Sequence, residues 1–556
     1  MSSLYVDIDC DRIIQNALDI SPETADTHRT QIDLEIAELK SRLRYLHTAR
    51  NALAPVSRLP SEILAKIFHL LRVDEYGEVV PKEILPISWV SHHWREVVLA
   101  DATLWDHIDN SNYRWAIWCF IRSKQVPLFV QLSSQVTTIL SAETMSRLYR
   151  ELPHVHSLKL GEWDTRPGTL REEYPIADET EFQSPELEHS GNTLTVLQTL
   201  HLTGYIADSF NSYAMPHLAD LKLQDCRFNW AEFLVPSLKT LFIQDPQLTV
   251  HADDLLRLLS KMPLLEEITL NGVLSGVRAP DHEMGGDPLR VQVSCPNLIS
   301  FKISDYLSAC VADLVNNITT PLRASLCMTT YLSEERIEDL LRPLFQVVHK
   351  RFSEAPLSLD TVAISRSDAG GLSFGFGQRN SGRVLGDTII QAITPFGPTY
   401  TFGIVLQLFH QLHLGHVQWL QISGYWELIR REPGFTEFMG FLGTMPNVQE
   451  LLLEHYIGVE FLEYLAYSPF TALPSNLKAI TCSRISSSYM SRPLAESRVE
   501  TLLLARRNGS VKMILRDVLA NSVLERFRSL GKVFDEIYCD EARFLFFPDE
   551  DLSYAR

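Results

Sequence analysis

Three histidines have the spacing that comes nearest to a metal site. His410, His413 and His416 are three residues apart, which can place imidazoles on one helical face as metal ligands. The surrounding stretch, QLFHQLHLGHVQWL, is predicted to be an apolar helix that ends near Gly415, so His416 would belong to the following turn. We therefore favour a structural role for these histidines and predict neither a metal site nor a cofactor.

Other catalytic signatures are weak or missing. The stretch GGLSFGFG, Gly370 to Gly377, contains GxG, but no GK[ST] follows it, so it favours a strand and a turn over a phosphate loop. The sequence has no GxSxG, HExxH or kinase signature, and its acidic residues form no local acid–base pair that stands out. We predict that the chain is not an enzyme and has no catalytic residues.

Composition narrows the class of protein. The chain has 556 residues, 45% hydrophobic and 21% charged, as in a folded protein with several domains or a long repeat array. Its net charge of −19, without a dense basic run, argues against nucleic-acid binding. Eight scattered cysteines without a CxxC motif are typical of reduced thiols in a cytoplasmic or nuclear protein. Without a signal-peptide pattern or a long apolar run, we expect no secretion and no membrane insertion.

Three short helical segments follow one another between Leu59 and Ile108. They read LPSEILAKIFHLL, ISWVSHHWREVV and ATLWDHI. In the first segment, apolar residues recur at helical spacing behind Pro60, which suits a first helical turn, and Ser57 is a candidate cap. Those apolar residues are Leu59, Ile63, Ile67, Leu70 and Leu71. So small a bundle buries little apolar surface and usually needs a partner.

This order of residues resembles an F-box. The matching residues are Leu59-Pro60, Glu62, Ile63-Leu64, Ile67-Phe68, Val90-Ser91, Trp94-Arg95 and Leu104-Trp105. Ser91 and two histidines replace the cysteine often seen before the Trp-Arg pair, and residues Arg72 to Lys82 lengthen the first loop. The resemblance implies docking onto the adaptor subunit of a cullin-RING (SCF-type) ubiquitin ligase. The implied adaptor contacts, some of which must instead form the domain's own core, are Leu59, Pro60, Ile63, Leu64, Ile67, Phe68, Val90, Trp94, Leu104 and Trp105.

A heptad seam precedes this segment. Its residues, Ile32, Ile36, Leu39, Leu43 and Leu46, are spaced 4, 3, 4 and 3 apart. The seam covers only about two heptads, fewer than a confident coiled coil needs. We favour an amphipathic helix that packs on its own protein, with weak self-association through residues 31–47 as the alternative.

One apolar phrase of the form LxxLxL recurs after residue 150. Its copies begin at Val155, Leu197, Leu218, Leu238, Leu265, Leu298, Leu359, Val417, Val448, Leu477 and Val499. A proline stands two residues before several of these anchors, as in MPHLADLKL and CPNLISFKI. The shorter anchor spacings, 20, 21, 22, 27 and 29 residues, match a leucine-rich repeat. Gaps of 61 and 58 residues suggest hidden units, and PLRASLCM, Pro321 to Met328, is a candidate for the first.

The predicted fold class is therefore α/β. An N-terminal helix and a small three-helix F-box-like bundle would precede an irregular leucine-rich-repeat solenoid, a curved parallel sheet with outer helices, because a single repeat cannot bury its apolar side alone. The predicted domains are a variable segment 1–30, a coiled-coil-like helix 31–54, an F-box-like domain 55–108, bridging helices 109–150, the solenoid 151–545 and a tail 546–556.

The repeat also predicts which side chains point away from the apolar side of the sheet. These substrate-face candidates are Lys159, His201, Lys222, Phe242, Glu267, Lys302, Trp419, Gln421 and Glu450. Trp419 is notable because a large exposed aromatic would be an anchor for a partner, unless a side loop covers it.

The combination resembles the F-box/leucine-rich-repeat proteins, in particular those of mushroom-forming fungi. This resemblance implies a substrate-recognition subunit of an SCF-type ubiquitin ligase, with the box docked on the adaptor and the repeats bound to a protein substrate of unknown identity. The alternative is a non-enzymatic repeat scaffold in which the box-like helices only cap the solenoid.

Overall fold

The structure is a computed structural model. The residues it describes are 22–74, 79–109, 113–132, 147–148, 150–161, 193–204, 213–226, 235–246, 249–275, 291–321, 323–331, 337–353, 359–366, 371–380, 383–393, 407–409, 412–424, 432–454, 457, 461, 476–483, 512–516, 536–539 and 542–544. The fold is mixed α/β, and the chain divides into two compact units, Met1–Val155 and His156–Arg556.

The first unit is mainly helical. Its helices are α1 (Pro22–Ala52), α2 (Ser61–Leu71), α3 (Ile84–Ser88), α4 (His92–Ala100) and α5 (Tyr113–Arg122). Single 3-10 turns lie at Pro55–Arg58, Pro81–Glu83, Ala102–Trp105 and Leu152–His154. Two short parallel strands complete it, β1 (His107–Asp109) and β2 (Leu128–Leu132).

The segment 109–150, predicted to be bridging helices, therefore contains a strand as well as a helix. The stretch LFVQL alternates strictly, with Leu128, Val130 and Leu132 buried and the residues between them more exposed. Such a period of two gives one buried face on a strand and no coherent face on a helix.

The second unit is built around a long sheet that is mostly parallel. The strands of the second unit up to residue 366 are β3 (Val155–Leu160), β4 (Thr199–Thr203), β5 (Asp220–Gln224), β6 (Thr240–Gln244), β7 (Glu267–Asn271), β8 (Val293–Ser294), β9 (Ser300–Asp305), β10 (Ile318–Thr319), β11 (Ser325–Tyr331) and β12 (Thr361–Arg366). Of these, β8 and β10 lie outside the long sheet and pair with each other in a small parallel sheet. The later strands are β13 (Leu372–Asn380), β14 (Arg383–Ile393), β15 (Trp419–Gly424), β16 (Glu450–Glu454), β17 (Ala479–Ser483), β18 (Lys512–Arg516), β19 (Glu536–Cys539) and β20 (Ala542–Phe544). The helices are α6 (Ala252–Leu259), α7 (Ser308–Asn316), α8 (Ile337–Ser353) and α9 (Glu432–Gly443), and a 3-10 turn lies at Leu414–His416.

The recurring apolar phrase sets the register of these strands. From β3 the parallel neighbours are β4, β5, β6, β7, β9 and β11 in turn. The middle apolar residue of each phrase stands beside that of the next copy, in the row Leu158, Leu200, Leu221, Leu241, Ile268, Phe301 and Leu326. Every member of this row is at most 1% exposed. The row ends in β11, and the second half of the candidate unit Pro321 to Met328 is therefore part of a strand of the same sheet.

Contrary to the prediction, the sheet is not wholly parallel. After β11 the order is β14, β13, β12, β15, and β13 is antiparallel to both of its neighbours. A link of only two residues, 381–382, joins β13 to β14, and strands joined by so short a link can pair only as a hairpin. The strand β13 includes most of the glycine-containing stretch GGLSFGFG, and its Phe374 and Phe376 are fully buried beside Phe345 of α8.

Beyond this hairpin the parallel order resumes. The strands β15, β16, β17, β18 and β19 pair in sequence, and β20 adds an antiparallel edge. The predicted copy that begins at Val499 lies outside the described residues.

The proline of the phrase lies in a tight turn ahead of the strand. In each of five copies the anchor N–H donates to the carbonyl of the residue before the proline, at 3.2 to 3.4 Å. These donor–acceptor pairs are Leu218–Met215, Leu238–Val235, Leu265–Met262, Leu298–Cys295 and Val448–Met445. Proline suits the second position of such a turn because its φ is already fixed near the required value.

A residue with positive φ ends many of these strands. Gly161, Gly204, Gly272, Asp225 and Asp245 each directly follow a strand of the parallel row, with φ between 45° and 106°. Glycine adopts this backbone without strain, and aspartate tolerates it better than most residues. The same turn therefore carries the chain out of the sheet after successive strands.

Gly161→Ala and Gly204→Ala should differ in cost although both glycines follow neighbouring strands. A Cβ at Gly161 would meet the Thr203 Cβ at 2.5 Å and the Thr203 carbonyl oxygen at 2.7 Å, whereas a Cβ at Gly204 meets nothing within 4 Å. We expect Gly204→Ala to lower the free energy of unfolding by about 1 kcal/mol from backbone strain alone, and Gly161→Ala by roughly 3 kcal/mol. Urea unfolding followed by circular dichroism measures both, and equal losses would contradict the close approach.

Candidate functional site

The rotation of α2 decides which residues of the first predicted segment are accessible. Leu64 and Phe68, four residues apart, are fully buried, whereas Ile63, Leu70 and Leu71 are 42%, 75% and 53% exposed. Most residues of the predicted apolar series therefore lie on the more exposed side of the helix. The buried side is formed by Leu64 and Phe68, each of which follows a member of that series by one position. The first unit therefore presents apolar side chains to solvent on α2.

The start of α2 differs from the expected one. Ser57 lies in the 3-10 turn Pro55–Arg58 and does not cap the helix. Pro60 occupies the N-cap position, and its carbonyl accepts hydrogen bonds from the N–H groups of Ile63 and Leu64 at 3.0 and 3.1 Å. Glu62 in the first turn places a negative charge where the helix dipole favours one.

Two tryptophans link helices of the first unit to one another. The ring centroid of Trp94 on α4 lies 5.1 Å from that of Phe68. Trp105 is 3% exposed, donates its indole N–H to the Val98 carbonyl at 2.8 Å, and lies 5.3 Å from the Trp115 ring. Aromatic pairs at such distances add to the stability that area burial alone provides.

The ten predicted adaptor contacts therefore fall into two groups. Leu64, Phe68, Leu104 and Trp105 are at most 3% exposed and form the domain's own core. The others are accessible to different degrees: Pro60, Ile63 and Val90 are exposed, and Leu59, Ile67 and Trp94 are half-buried. Three further exposed apolar side chains, Leu70, Leu71 and Trp89, were not among the predicted contacts. Trp89 is 72% exposed and directly precedes Val90, which is 53% exposed.

Ser91 caps α4. Its hydroxyl accepts a hydrogen bond from the N–H of Trp94 at 3.2 Å, and Ser91 has extended backbone angles. Serine is among the best N-cap residues, whereas a thiol is a poor acceptor. Ser91 therefore supports the helix that carries Trp94.

A buried ion pair connects the end of α2 to the end of the segment. Arg72, 6% exposed, donates to the Asp106 carboxylate at 2.9 Å and to the Leu104 carbonyl at 3.1 Å. His107 Nδ1 lies 2.6 Å from the same carboxylate oxygen. Burial acts to raise the pKa of Asp106, but the hydrogen bonds with His107 and Arg72 and the charge of Arg72 outweigh it and lower this pKa. The sequence did not predict this ion pair, because Arg72 is only the first residue of the stretch that lengthens the first loop.

Most substrate-face candidates lie on one face of the sheet. Register places Lys159, His201, Lys222, Phe242 and Lys302 in a single row, with Thr269 between the last two. Glu267 and Lys302 are exposed, and Lys159, Lys222 and Phe242 are half-buried. On the later strands Trp419 and Glu450 are register partners and half-buried, and Gln421 donates to Glu454 at 2.7 Å.

His201 lies in the predicted outward row but is not accessible to solvent. It is 6% exposed, and its Nε2 lies 2.7 Å from the Asp220 carboxylate on the next strand. Desolvation, with the charges of Lys222 and Lys159, lowers the pKa of His201, although Asp220 opposes this shift. Neighbouring strands are only about 4.8 Å apart. The side chains of Lys159 and Lys222, on the strands to either side, can therefore cover the imidazole ring of His201.

The structure describes two of the three histidines that suggested a metal site. His413 and His416 are both exposed, and His410 lies outside the described residues. Within the described part of the chain, no group of three or more His, Cys, Asp or Glu side chains could hold a metal ion. Among these same residues, no helix has both the length and the apolar content to cross a membrane.

Comparison with known families matches one part of the chain. Residues 56–111 match the family described as F-box-like, which confirms the F-box part of the sequence prediction. These residues begin in the turn before α2 and extend just beyond β1, so they include the buried core, the exposed apolar side chains and the Arg72–Asp106 pair. A search of the curated proteins finds no match to this chain.

Asp106→Asn should destabilise the F-box-like domain at neutral pH. The amide keeps the shape but leaves the buried Arg72 guanidinium without its counter-ion, which costs about 3 kcal/mol of unfolding free energy. Because the pKa of Asp106 is lowered on folding, its stabilisation is complete above about pH 4 and is lost as the pH falls through the folded pKa. Urea unfolding should therefore show a difference between wild type and variant at pH 7 that shrinks in strong acid.

Glu96→Gln is the matched control for this variant. Glu96 also pairs with a histidine, His92, but both side chains are more than 60% exposed, so its loss should change stability by less than about 1 kcal/mol. Equal effects of the two substitutions would contradict a structural role for the buried pair.

Proposed function

We propose that this chain is the substrate-recognition subunit of an SCF-type cullin-RING ubiquitin ligase. The F-box-like domain at residues 56–111 carries this proposal, because domains of this family bind the adaptor subunit of such ligases. The domain would dock on the adaptor, and the sheet of the second unit would bind a protein substrate. F-box proteins are in general non-catalytic adaptors, which agrees with the lack of any recognisable catalytic motif in the sequence.

Exposed apolar side chains on the F-box-like domain support docking. Ile63, Leu70 and Leu71 on α2, and Trp89 and Val90 in the turn before α4, are between 42% and 75% exposed. Large apolar residues at this exposure are typical of a surface that a partner covers. We infer that the adaptor contacts Ile63, Val90 and their exposed neighbours, while Leu64, Phe68, Leu104 and Trp105 act only by holding the domain together.

The alternative is a non-enzymatic repeat scaffold in which the box-like helices only cap the solenoid. A cap of this kind needs no adaptor, so failure of the well-folded protein to bind the adaptor would favour it.

We also propose that the second unit is a leucine-rich-repeat-like array. Three observations support it: the in-register row of apolar residues, the repeated proline turn before the strand, and the positive-φ residue after it. Successive units then share one core, and their outward residues form a continuous face. Lys159, Lys222, Phe242, Glu267 and Lys302 on the early strands, and Trp419, Gln421 and Glu450 on the later ones, are the proposed substrate contacts.

The proposed mechanism involves no bond chemistry by this chain. Its two binding surfaces would hold a substrate lysine near a ubiquitin-charged enzyme that the rest of the complex supplies. Holding two reactants together raises their effective concentration by orders of magnitude. This proximity alone can accelerate the transfer of ubiquitin.

Adaptor binding tests the proposal directly. Full-length protein with Ile63→Ala and Val90→Ala together should bind the purified adaptor at least tenfold more weakly than wild type, since about 1.4 kcal/mol of lost apolar contact suffices for that factor. The Leu59→Ala and Pro60→Ala pair should also weaken binding while the second unit stays folded. Pull-down and calorimetry measure the affinity, and circular dichroism checks the fold.

Ile299→Ala is the matched control because Ile299 is 59% exposed and lies in the second unit. It should leave adaptor binding unchanged. If well-folded wild type fails to bind the adaptor, the ligase proposal is wrong, and if the Ile63 and Val90 variant binds normally, the assigned surface is wrong.

A further inference from the structure

The heptad seam of α1 is exposed along its whole length. Residues 26–50 are all exposed, and the seam side chains Ile32, Ile36, Leu39, Leu43 and Leu46 are 40% to 56% exposed. The favoured expectation, that this helix packs on its own protein, is therefore not what the structure shows. A helix with one regular apolar stripe in water lacks the packing from which most helical stability comes.

We propose that the seam is covered by the same helix of a second copy of this chain, in an antiparallel coiled coil. This inference goes beyond the proposed ligase function and does not depend on it. Ile36 and Leu43 take the a positions of the heptad, and Ile32, Leu39 and Leu46 take the d positions. In the antiparallel register Ile32 packs on Leu43 of the second copy and Ile36 on Leu39, which gives four apolar layers related by the two-fold axis.

The charges beside the seam favour this antiparallel arrangement. The flanking e and g positions carry acidic residues in the first half, Asp33 and Glu35, and basic residues in the second half, Lys40 and Arg42. When the helices run antiparallel, Asp33 faces Lys40 of the second copy, and Glu35 faces Arg42. Each contact occurs twice by symmetry, so all four flanking pairs are attractive.

A parallel arrangement is less favourable. The a positions at either end of the seam are Arg29 and Arg50. In a parallel dimer each arginine would face the same arginine of the second copy across the core. Like charges in a core layer are strongly disfavoured. In the antiparallel register Arg29 instead faces Leu46, over which its aliphatic stem can lie while the guanidinium reaches water.

Two leucines on this helix make a matched test of the seam. Leu39 is 56% exposed and lies in the seam, whereas Leu34 is 64% exposed and lies outside it. In sedimentation equilibrium, full-length wild type should show a monomer–dimer equilibrium with a weak dissociation constant, because four apolar layers make a small interface. Leu39→Ser should raise this constant by roughly a hundredfold, since both copies lose a core side chain, and Leu34→Ser should leave it unchanged.

A charge exchange within one chain tests the direction of the helices. Arg42→Glu places two acidic residues opposite each other in the antiparallel dimer and should weaken it by about tenfold. Adding Glu35→Arg to that variant restores attraction only in the antiparallel register, because a parallel dimer would set the introduced arginine against Lys40 of the second copy. A wild type that stays monomeric, equal effects of the two leucine variants, or no restoration by the double exchange would each overturn the proposal.

Discussion

The burial of Leu64 and Phe68 fixes the rotation of α2, and the accessible surface of the F-box-like domain follows from it. With these two side chains fully buried, Ile63 and Leu70 lie on another side of the helix, and Leu71, its last residue, is also 53% exposed. The Arg72–Asp106 pair holds the end of the same helix against the 3-10 turn Ala102–Trp105. Because a domain this small has little apolar core, we expect the loss of one partner of this buried pair to destabilise it.

The sequence predicted the helices of this domain but not which of their sides faces inward. The large apolar residues of α2 form one broad stripe opposite Glu62, Lys66 and His69. Helical spacing could therefore select Ile63 and Ile67 on one edge of this stripe as readily as Leu64 and Phe68 on the other. Only contacts with distant residues decide between the two sides. The same limit explains Arg72, whose partner lies 34 residues away and leaves no local signal. By contrast, Ser91 was recognised from the family pattern, and its capping bond is local enough to be expected from its position.

For the sheet, periodicity was a stronger guide. A phrase with apolar residues two apart can bury one side of a strand only, and repeating it makes neighbours align. The sequence therefore predicts that apolar residues of successive phrases stand side by side, as they do from Leu158 to Leu326. The hairpin of β13 and β14 was not predicted, because its strands do not carry the phrase, and their place between β11 and β12 depends on non-local pairing. His201 shows that pointing away from the apolar side does not ensure exposure.

The most direct test of the central claim is hydrogen–deuterium exchange of the full chain with and without the purified ligase adaptor. If the F-box-like domain docks as we infer, the adaptor should slow amide exchange in α2 and in the turn from Trp89 to Ser91, and leave β5, β6 and β7 unchanged. Protection confined to the sheet, or no change in any segment at saturating adaptor, would contradict the account.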